Sequence, residues 1–204
     1  MDAADWDKRY SDSELVWGAP PNRYVVQHAT SLPAGRALDL ACGEGRNALW
    51  LATRGWQVTG LDYSAVALRK AEEIASRAPR AVISRLTWEQ GDVTTANLGG
   101  GYDLVLMVYL HLPPEERREL IAKACAALAP DGQLLVVAHD LINLTEGYGG
   151  PPEPAILCTP DDVVAELPEG MTSVTATREH REVDTPEGPR TAIDAVIVAK
   201  KLRA

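Results

Sequence analysis

The chain alternates short apolar runs with longer segments in which apolar residues recur every three or four positions. The short runs predict buried strands, and the longer segments predict amphipathic helices. Before residue 140, strands are predicted at 37–41, 57–61, 86–90, 102–109 and 133–138. Helices are predicted between them at 46–53, 64–77 and 113–128. A strand–helix–strand repeat with this spacing predicts an α/β fold with a doubly wound, mostly parallel sheet.

The last third of the chain departs from this repeat. Residues 141–158 are rich in Gly and Pro and predict a long loop, and Thr159 followed by Pro160 predicts the start of a short helix. Two further strands, at about 172–183 and 191–200, are separated by the turn residues Thr185-Pro-Glu-Gly-Pro. They predict a hairpin, so we expect the sheet to end in antiparallel pairing.

Composition and charge narrow the classes of function. The 204-residue chain has 20 basic and 29 acidic residues and a net charge of −9, which argues against nucleic acid as a partner because such binding depends on neutralising phosphates. Three cysteines without a CxxC spacing predict neither a disulfide framework nor a zinc site. The apolar runs are too short to cross a membrane, and the acidic N-terminus does not look like a signal peptide. We expect a cytoplasmic protein of one domain.

The most informative segment is the turn after the first strand, Ala37-Leu-Asp-Leu-Ala-Cys-Gly-Glu-Gly-Arg-Asn-Ala48. Gly43 and Gly45 lie between a strand and a helix, where they let the backbone approach a ligand at the helix N-terminus. The pattern Gly-x-Gly-x-x-Ala also fits a nicotinamide-dependent oxidoreductase, or simply a tight turn. Asp39 favours a different ligand, because its carboxylate would repel a pyrophosphate and attract an ammonium group.

Two further acids stand at the ends of predicted strands. Asp62 ends the second strand, about 20 residues after the glycine loop, where it can accept hydrogen bonds from both ribose hydroxyls. Ser64 follows it, so helix capping is the alternative role. Asp92 follows the third strand, where it can bind an adenine amino group while Val93 packs on the ring. The alternative for Asp92 is an ordinary turn.

Together these residues resemble the class I S-adenosylmethionine (SAM)-dependent methyltransferases. Asp39-x-Ala-x-Gly-x-Gly is similar to that family's first motif, with Ala41 where glycine is commoner, and the likeness covers about residues 33–140. The resemblance implies a Rossmann-like seven-stranded sheet with an antiparallel last strand, SAM as cofactor and S-adenosylhomocysteine as product. It implies these cofactor contacts from the core: Asp39, Ala41, Gly43, Gly45, Arg46, Asn47, Asp62, Tyr63, Asp92, Val93 and Met107.

The run Gly43-Glu-Gly-Arg-Asn-Ala-Leu-Trp-Leu-Ala, followed by Gly55-Trp, looks like the branch that contains the tellurite-resistance and thiopurine methyltransferases. In that branch N-terminal aromatic residues cover the cofactor, which implies this role for Trp6, Tyr10 and Trp17. Simple packing of an N-terminal helix is the alternative. The chain would then divide into a lid segment (1–33), a SAM-binding core (34–140) and a substrate-side part (141–204).

Candidate acceptor residues follow the fourth and fifth strands, because ligands bind at the carboxyl ends of parallel strands. His139 is the best candidate for a general base, and Tyr109 is a second catalytic candidate. Asp140 follows His139 directly, but adjacent residues of a strand point in opposite directions, so the two need not touch. His180-Arg181 resembles a pair near the tellurite-type active site, with a solvated strand as the alternative. The expected substrate contacts are His111, Asp140, His180 and Arg181.

We therefore expect SAM-dependent methyl transfer to a small-molecule acceptor, with sulfur, nitrogen or oxygen as the nucleophile. The alternatives are a nicotinamide-dependent oxidoreductase and a SAM-binding protein without turnover. No metal, nucleic acid or membrane partner is expected, and both a monomer and a homodimer are compatible with the sequence.

Overall fold

The computed structural model describes residues 3–12 and 20–203. Its strands are β1 (Arg36–Leu40), β2 (Gln57–Asp62), β3 (Leu86–Gln90), β4 (Tyr102–Val108), β5 (Leu128–His139), β6 (Met171–Val183) and β7 (Arg190–Lys201). Its helices are α1 (Ala3–Ser11), α2 (Arg23–Ala29), α3 (Arg46–Thr53), α4 (Ala65–Ala75), α5 (Arg80–Ile83), α6 (Pro114–Ala127), α7 (Asn143–Glu146) and α8 (Pro160–Ala165).

These strands form one sheet in the order β3-β2-β1-β4-β5-β7-β6. The pairs among β1 to β5 are parallel, whereas β7 runs antiparallel to both β5 and β6. The predicted α/β fold with its terminal hairpin is confirmed. The winding of the chain reverses between β1 and β4, and in folds of this kind the ligand crevice lies outside the carboxyl ends of the strands at that point.

Apolar clusters cover both faces of the sheet. On one face, which we call the α3 face, α2 and α3 pack through a cluster that includes Tyr24, Leu51 and Val137. On the other face, the α6 face, α6 and α8 pack through a cluster that includes Ile121 and Val163. The alternation of side chains places His139 and Asp194 on the α3 face, beside Val137 and Val196.

The sequence pattern does not predict three of the helices. α2, α5 and α7 have seven, four and four residues, too few for a helical period to show. α2 begins instead with a cap, in which the Asn22 side chain accepts a hydrogen bond from the Tyr24 N–H at 2.9 Å. β5 begins at Leu128, earlier than predicted, because Leu128 already pairs with Tyr102 before the backbone turns at Asp131 (φ 66°).

Two observations concern membranes and metals. No helix in the described ranges is long and apolar enough to cross a membrane. Within the same ranges, no three His, Cys, Asp or Glu side chains are grouped so that they could hold a metal ion.

Candidate functional site

The glycine loop connects β1 to α3 through residues with left-handed backbone. Ala41 (φ 54°), Gly43 (φ 56°) and Gly45 (φ 75°) all have positive φ. This conformation costs an alanine roughly 1–2 kcal/mol, whereas glycine adopts it freely. The strain accounts for the preference for glycine at the position of Ala41 in the family that the sequence resembles. The turn leaves the N-terminus of α3 beside the crevice.

Asp39 lies near the carboxyl end of β1 and is 1% exposed. Among the described residues, its Oδ2 has no hydrogen-bond partner. Burial raises the pKa of this carboxyl to about 7, although the Arg46 charge and the Ala48 N–H oppose the rise. A buried carboxylate oxygen without a donor fits a cationic ligand group such as an ammonium.

The Asp62 carboxylate joins the glycine loop to the start of α4. Its Oδ2 accepts a hydrogen bond from the Gly43 N–H at 2.8 Å, and its Oδ1 accepts one from the Ser64 N–H at 2.9 Å. Burial raises the pKa of Asp62, and these two N–H groups oppose the rise. Asp62 therefore binds the backbone of Ser64, the residue that caps α4, while each carboxylate oxygen has a further lone pair for a ligand hydroxyl.

Asp92 lies at the same edge of the sheet, just beyond β3. The Gly91 N–H donates to the Asp62 carbonyl at 3.0 Å, which brings the end of β3 next to Asp62. Asp92 is exposed, and its Oδ1 accepts hydrogen bonds from the N–H and the hydroxyl of Thr94. Val93, beside it, is buried. Asp92 thus forms a turn that leaves its carboxylate accessible at the crevice edge.

Three other residues that were predicted to bind the cofactor make hydrogen bonds or apolar contacts with other parts of the chain. Asn47 Oδ1 accepts a hydrogen bond from the Asn22 N–H at 2.8 Å, which joins α2 to α3. The Tyr63 carbonyl accepts one from the Gln90 side chain at 3.3 Å. Met107 is buried near the end of β4 on the α6 face.

Helix α1 lies across the start of α4, close to Asp62. Asp7 Oδ1 accepts hydrogen bonds from the Ser64 hydroxyl at 2.5 Å and from the Val66 N–H at 3.3 Å. Asp7 therefore binds the N-terminus of α4, where a negative charge is stabilised by the helix dipole.

Two of the three predicted lid aromatics lie on α1. Tyr10 is buried, its carbonyl accepts a hydrogen bond from the Lys70 ammonium, and its ring centroid lies 5.6 Å from that of Trp6. Trp17 lies outside the described residues.

A second polar cluster surrounds Asp194 of β7, which is completely buried. Its Oδ2 accepts hydrogen bonds from Arg181 Nε at 2.7 Å, the Tyr109 hydroxyl at 3.0 Å and the Tyr24 hydroxyl at 3.3 Å. His139 Nδ1 lies 3.3 Å from Oδ1, within ion-pair distance but not aligned as a hydrogen bond. Burial alone would raise the pKa of Asp194, but its contacts with His139 and Arg181 outweigh this effect and lower the pKa. We call these five residues the Asp194 cluster.

Stacked rings extend this cluster beyond the end of β4. The His139 ring lies 4.9 Å from that of Tyr109 and 5.4 Å from that of His111, measured between centroids. Burial and the neighbouring His139 lower the pKa of His111 to about 4, so His111 is neutral at pH 7. Burial and Asp194 raise the pKa of Tyr109 above its usual value. Tyr109 also has φ 56°, and strained residues of this kind are common at functional sites.

Asp140 and His180 are not part of the Asp194 cluster. The buried carboxylate of Asp140 pairs instead with Arg178 Nε at 2.8 Å. His180 is exposed and precedes Arg181 on β6, so the two side chains lie on opposite faces of the strand. Of the four predicted substrate contacts, the structure brings His111 and Arg181 together.

Arg46, at the start of α3, lies between the glycine loop and the Asp194 cluster. Burial lowers its pKa, while Tyr109 and Asp39 raise it and the like charge of Arg181 lowers it further. Arg181 Cζ is 5.8 Å from the centre of the Tyr109 ring. Two guanidinium groups therefore act on the region around Tyr109, and that of Arg181 also pairs with Asp194 at 2.7 Å.

Asp194 and Tyr24 are site residues that the sequence analysis missed. A signal for Asp194 was present, because it stands within the otherwise apolar run Ala192-Ile-Asp-Ala-Val-Ile-Val-Ala. A charge in such a strand is buried only where it finds partners. Tyr24 gave no comparable signal, since α2 itself was not predicted.

The chain is similar to known methyltransferases in sequence and in fold. Residues 37–132 match the family model described as "Methyltransferase domain". Thiocyanate methyltransferase 1 of Brassica oleracea is 29% identical over 193 residues, which cover 92% of this chain and 82% of that protein. TehB from Haemophilus influenzae has a similar fold, with a TM-score of 0.70 at 18% identity over 98% of this chain and 68% of TehB. The glycopeptide N-methyltransferase MtfA in complex with SAM matches with a TM-score of 0.66 at 24% identity, over 92% and 96% of the two chains.

The comparisons support the class I SAM-dependent methyltransferase family for this chain and SAM as its cofactor. The predictions of this family, enzyme class and cofactor are thereby confirmed. The residues of the crevice fit SAM, because the unpartnered oxygen of Asp39 can bind the ammonium group and the Asp62 carboxylate has lone pairs free for the ribose hydroxyls. The alternative of a nicotinamide-dependent oxidoreductase is not supported, since the family and the antiparallel β7 both point to methyl transfer.

Proposed function

We propose that this methyltransferase acts on a small, soft sulfur nucleophile that binds as an anion, or as a thiol that loses its proton in the site. The observation that carries this proposal is the proximity of Arg46 and Arg181 to Tyr109. An acceptor anion placed there would be attracted by both guanidinium groups. The likeness to a protein described as a thiocyanate methyltransferase supports an acceptor of this kind.

The proposed cofactor contacts divide by the part of SAM that each recognises. Asp39 binds the ammonium group, Asp62 binds the ribose hydroxyls, and Asp92 with Val93 binds the adenine. Ala41, Gly43 and Gly45 bring the backbone close, and Arg46, Asn47, Tyr63 and Met107 complete the wall. SAM supplies a methyl group that its sulfonium already activates, so the protein's main tasks are to align the acceptor and to exclude water.

The remaining parts of the chain have proposed roles on the acceptor side. Residues 1–33 act as a lid, 34–140 as the SAM-binding core, and 141–204 as the substrate side of one domain. Arg181 and His111 line the acceptor site, and His139 is the group in it that can accept a proton. We further propose that no nucleic acid takes part and that the enzyme works as a monomer or a homodimer.

A product screen tests the proposed function. Purified enzyme with SAM is offered thiocyanate, an aliphatic thiol, a phenol and a heterocyclic amine, and the methylated products are identified by mass spectrometry. We expect turnover of the two sulfur nucleophiles at rates well above those of the phenol and the amine. Methylation of the amine or phenol alone would refute the proposal. The absence of any product, with S-adenosylhomocysteine still bound in calorimetry, would favour a SAM-binding protein without turnover.

Variants of the two arginines test the anion site directly. Arg181→Gln should raise the KM of thiocyanate at least about tenfold, since one charge-assisted hydrogen bond contributes roughly 1.5–3 kcal/mol. Arg181→Lys keeps the charge but not the fork of donors and should have a smaller effect. Arg190→Gln, an exposed arginine of the same hairpin, is the control. An equal change of KM in the control and in Arg181→Gln would exclude the proposed role of Arg181.

A further inference from the structure

We infer that Asp194 is a positioning residue of the acceptor site, which orients His139 so that its Nε2 takes the proton of an acceptor that carries one. The inference rests on the proposed function, because it assigns the proton step of that reaction. It concerns thiols, which are mostly protonated at pH 7, rather than thiocyanate, which has no proton to lose.

The two carboxylate oxygens of Asp194 have different surroundings. Oδ2 accepts hydrogen bonds from Arg181, Tyr109 and Tyr24 and is saturated by them. Oδ1 faces His139 Nδ1 at 3.3 Å and Arg181 Nη2 at 3.5 Å. Oδ1 is therefore the oxygen that is available to accept a hydrogen bond from the imidazole of His139.

The fold sets His139 against this oxygen. His139 of β5 and Asp194 of β7 are direct partners in the antiparallel register, so their side chains leave neighbouring strands on the same face. A proton on Nδ1 would be stabilised by Oδ1, which leaves the lone pair on Nε2. The present contact is not aligned as a hydrogen bond, but contacts of this type often tighten only when the substrate is bound.

The other titratable groups around His139 do not compete for the proton. The Tyr109 hydroxyl donates its hydrogen to Asp194, and burial and Asp194 raise its pKa. His111 has a pKa lowered to about 4 by burial and His139, and its Nε2 accepts a hydrogen bond from the His139 N–H at 3.5 Å. Arg181 is a cation, and Tyr24 also donates to Asp194. His139 is therefore the group in the cluster that is left to accept the proton of an acceptor.

The cost of burying Asp194 supports a functional reason for its presence. It is completely buried in a strand whose neighbouring residues are apolar. Replacing a buried ion pair by apolar residues is often neutral or stabilising, so stability alone does not require a carboxylate there. A role in orienting His139, Tyr109 and Arg181 does require one.

The proton step balances as follows for a thiol acceptor. The acceptor sulfur uses its electron pair to bond the transferred carbon, and its proton goes to His139 Nε2 and from there to water. The electron pair of the broken carbon–sulfur bond stays on the sulfur of the leaving S-adenosylhomocysteine. No oxidant or reductant is needed.

The test uses Asp194→Asn with Asp140→Asn as a matched control, because both carboxylates are completely buried and both pair with an arginine of β6. In the cofactor-free protein, ¹⁵N chemical shifts of the His139 ring should report the Nδ1–H tautomer. Asp194→Asn should redistribute the tautomers, whereas Asp140→Asn should not. With SAM, the ratio of kcat for an aliphatic thiol to kcat for thiocyanate should fall at least about tenfold in Asp194→Asn and stay constant in Asp140→Asn, in line with the loss of an oriented base.

Several outcomes would overturn the inference. These are an unchanged His139 tautomer in Asp194→Asn, or an equal loss of activity with the thiol and with thiocyanate. If Asp194→Asn does not fold, His139→Gln replaces it, and the same selective loss with the thiol is required. If the wild type methylates neither sulfur compound, the proposed function fails, while the tautomer measurement still decides whether Asp194 positions His139.

Discussion

The indole of Trp88 lies where a side chain on Gly45 would have to be. A Cβ placed on Gly45 would be 2.5 Å from Cη2 of Trp88, and one on Gly60, on the neighbouring strand β2, would be 2.7 Å from the same ring. The ring is thus held between two glycines and has little room to move. Gly45 is needed for this packing, in addition to any close approach to the cofactor.

Gly45→Ala should therefore lower the free energy of unfolding by about 2–4 kcal/mol, since it adds both a clash with Trp88 and a strained φ. Urea unfolding measures the change. Gly99→Ala is the matched control, because Gly99 has a similar φ of 67° but no atom within 4 Å of the added carbon; it should cost only about 1 kcal/mol. Equal losses in the two variants would show that the Trp88 contact contributes nothing.

The packing of Trp88 also illustrates what the sequence could and could not predict. Short apolar runs and the glycine loop predicted the sheet, and Asp39, Asp62 and Asp92 were predicted at strand ends because local order determines those positions. Contacts between residues distant along the chain, such as Gly45 with Trp88, leave no local pattern. Trp88 was predicted only as part of a strand.

The acceptor side was predictable to a smaller extent for the same reason. The position of His139 after a strand singles it out, and the alternation of side chains along a strand predicts that Asp140 need not touch it, as the structure shows. The carboxylate beside His139 is instead Asp194, 55 residues later, supplied by antiparallel pairing whose register the sequence does not state. The sequence resemblance predicts His180 and Arg181 as a pair, yet the side chains of neighbouring strand residues point to opposite faces.

Asp62→Ala should lower the affinity for S-adenosylhomocysteine at least about tenfold, because a carboxylate that binds hydroxyl groups contributes roughly 1.5–3 kcal/mol per hydrogen bond. It should also reduce stability, since Gly43 and Ser64 lose their acceptor. Calorimetric titration and thermal unfolding measure the two effects. Ser64→Ala removes the α4 cap but leaves Asp62 in place. If Ser64→Ala weakened ligand binding as much as Asp62→Ala does, Asp62 would act through the start of α4 rather than by binding the ribose.

Asp39→Asn should stabilise the protein at pH 8 and weaken cofactor binding. The unfolded chain loses this proton near pH 4, whereas the folded chain keeps it to about pH 7 because burial raises the pKa. The native state thus binds more protons in this window, so its stability falls as pH rises from 4 to 7. The variant has no carboxyl at this position, so its stability does not fall in this way. Its free energy of unfolding should exceed that of the wild type by a few kcal/mol at pH 8, and the difference should vanish near pH 4. Urea unfolding at several pH values measures the free energy of unfolding of the wild type and the variant, with Asp184→Asn, at an exposed position, as the control. If the free energies of the wild type and of Asp39→Asn change with pH in parallel, the prediction is wrong.

Bound S-adenosylhomocysteine should protect α1 from trypsin at Lys8 and Arg9, which are exposed on this helix. Asp7 ties α1 to the start of α4 beside Asp62, so a ligand at Asp62 would stabilise the closed position. Deletion of residues 1–20 should abolish turnover and leave a folded core. Asp7→Ala should lose the protection, whereas Asp12→Ala, an exposed acid just after the same helix, should keep it. Cleavage at one rate with and without ligand would exclude a lid.

The single carboxylate of Asp194 has an evolutionary consequence. It accepts hydrogen bonds from side chains of α2, of β6 and of Tyr109 just after β4, and it faces His139 of β5. A substitution at any of these positions therefore changes the surroundings of the carboxylate that the others share. Effects within such a network are not additive, and an intermediate that loses one partner keeps a buried charge that is less well compensated. Divergence of acceptor preference among relatives with this carboxylate would therefore require Tyr24, Tyr109, His139 and Arg181 to covary, rather than to drift one at a time.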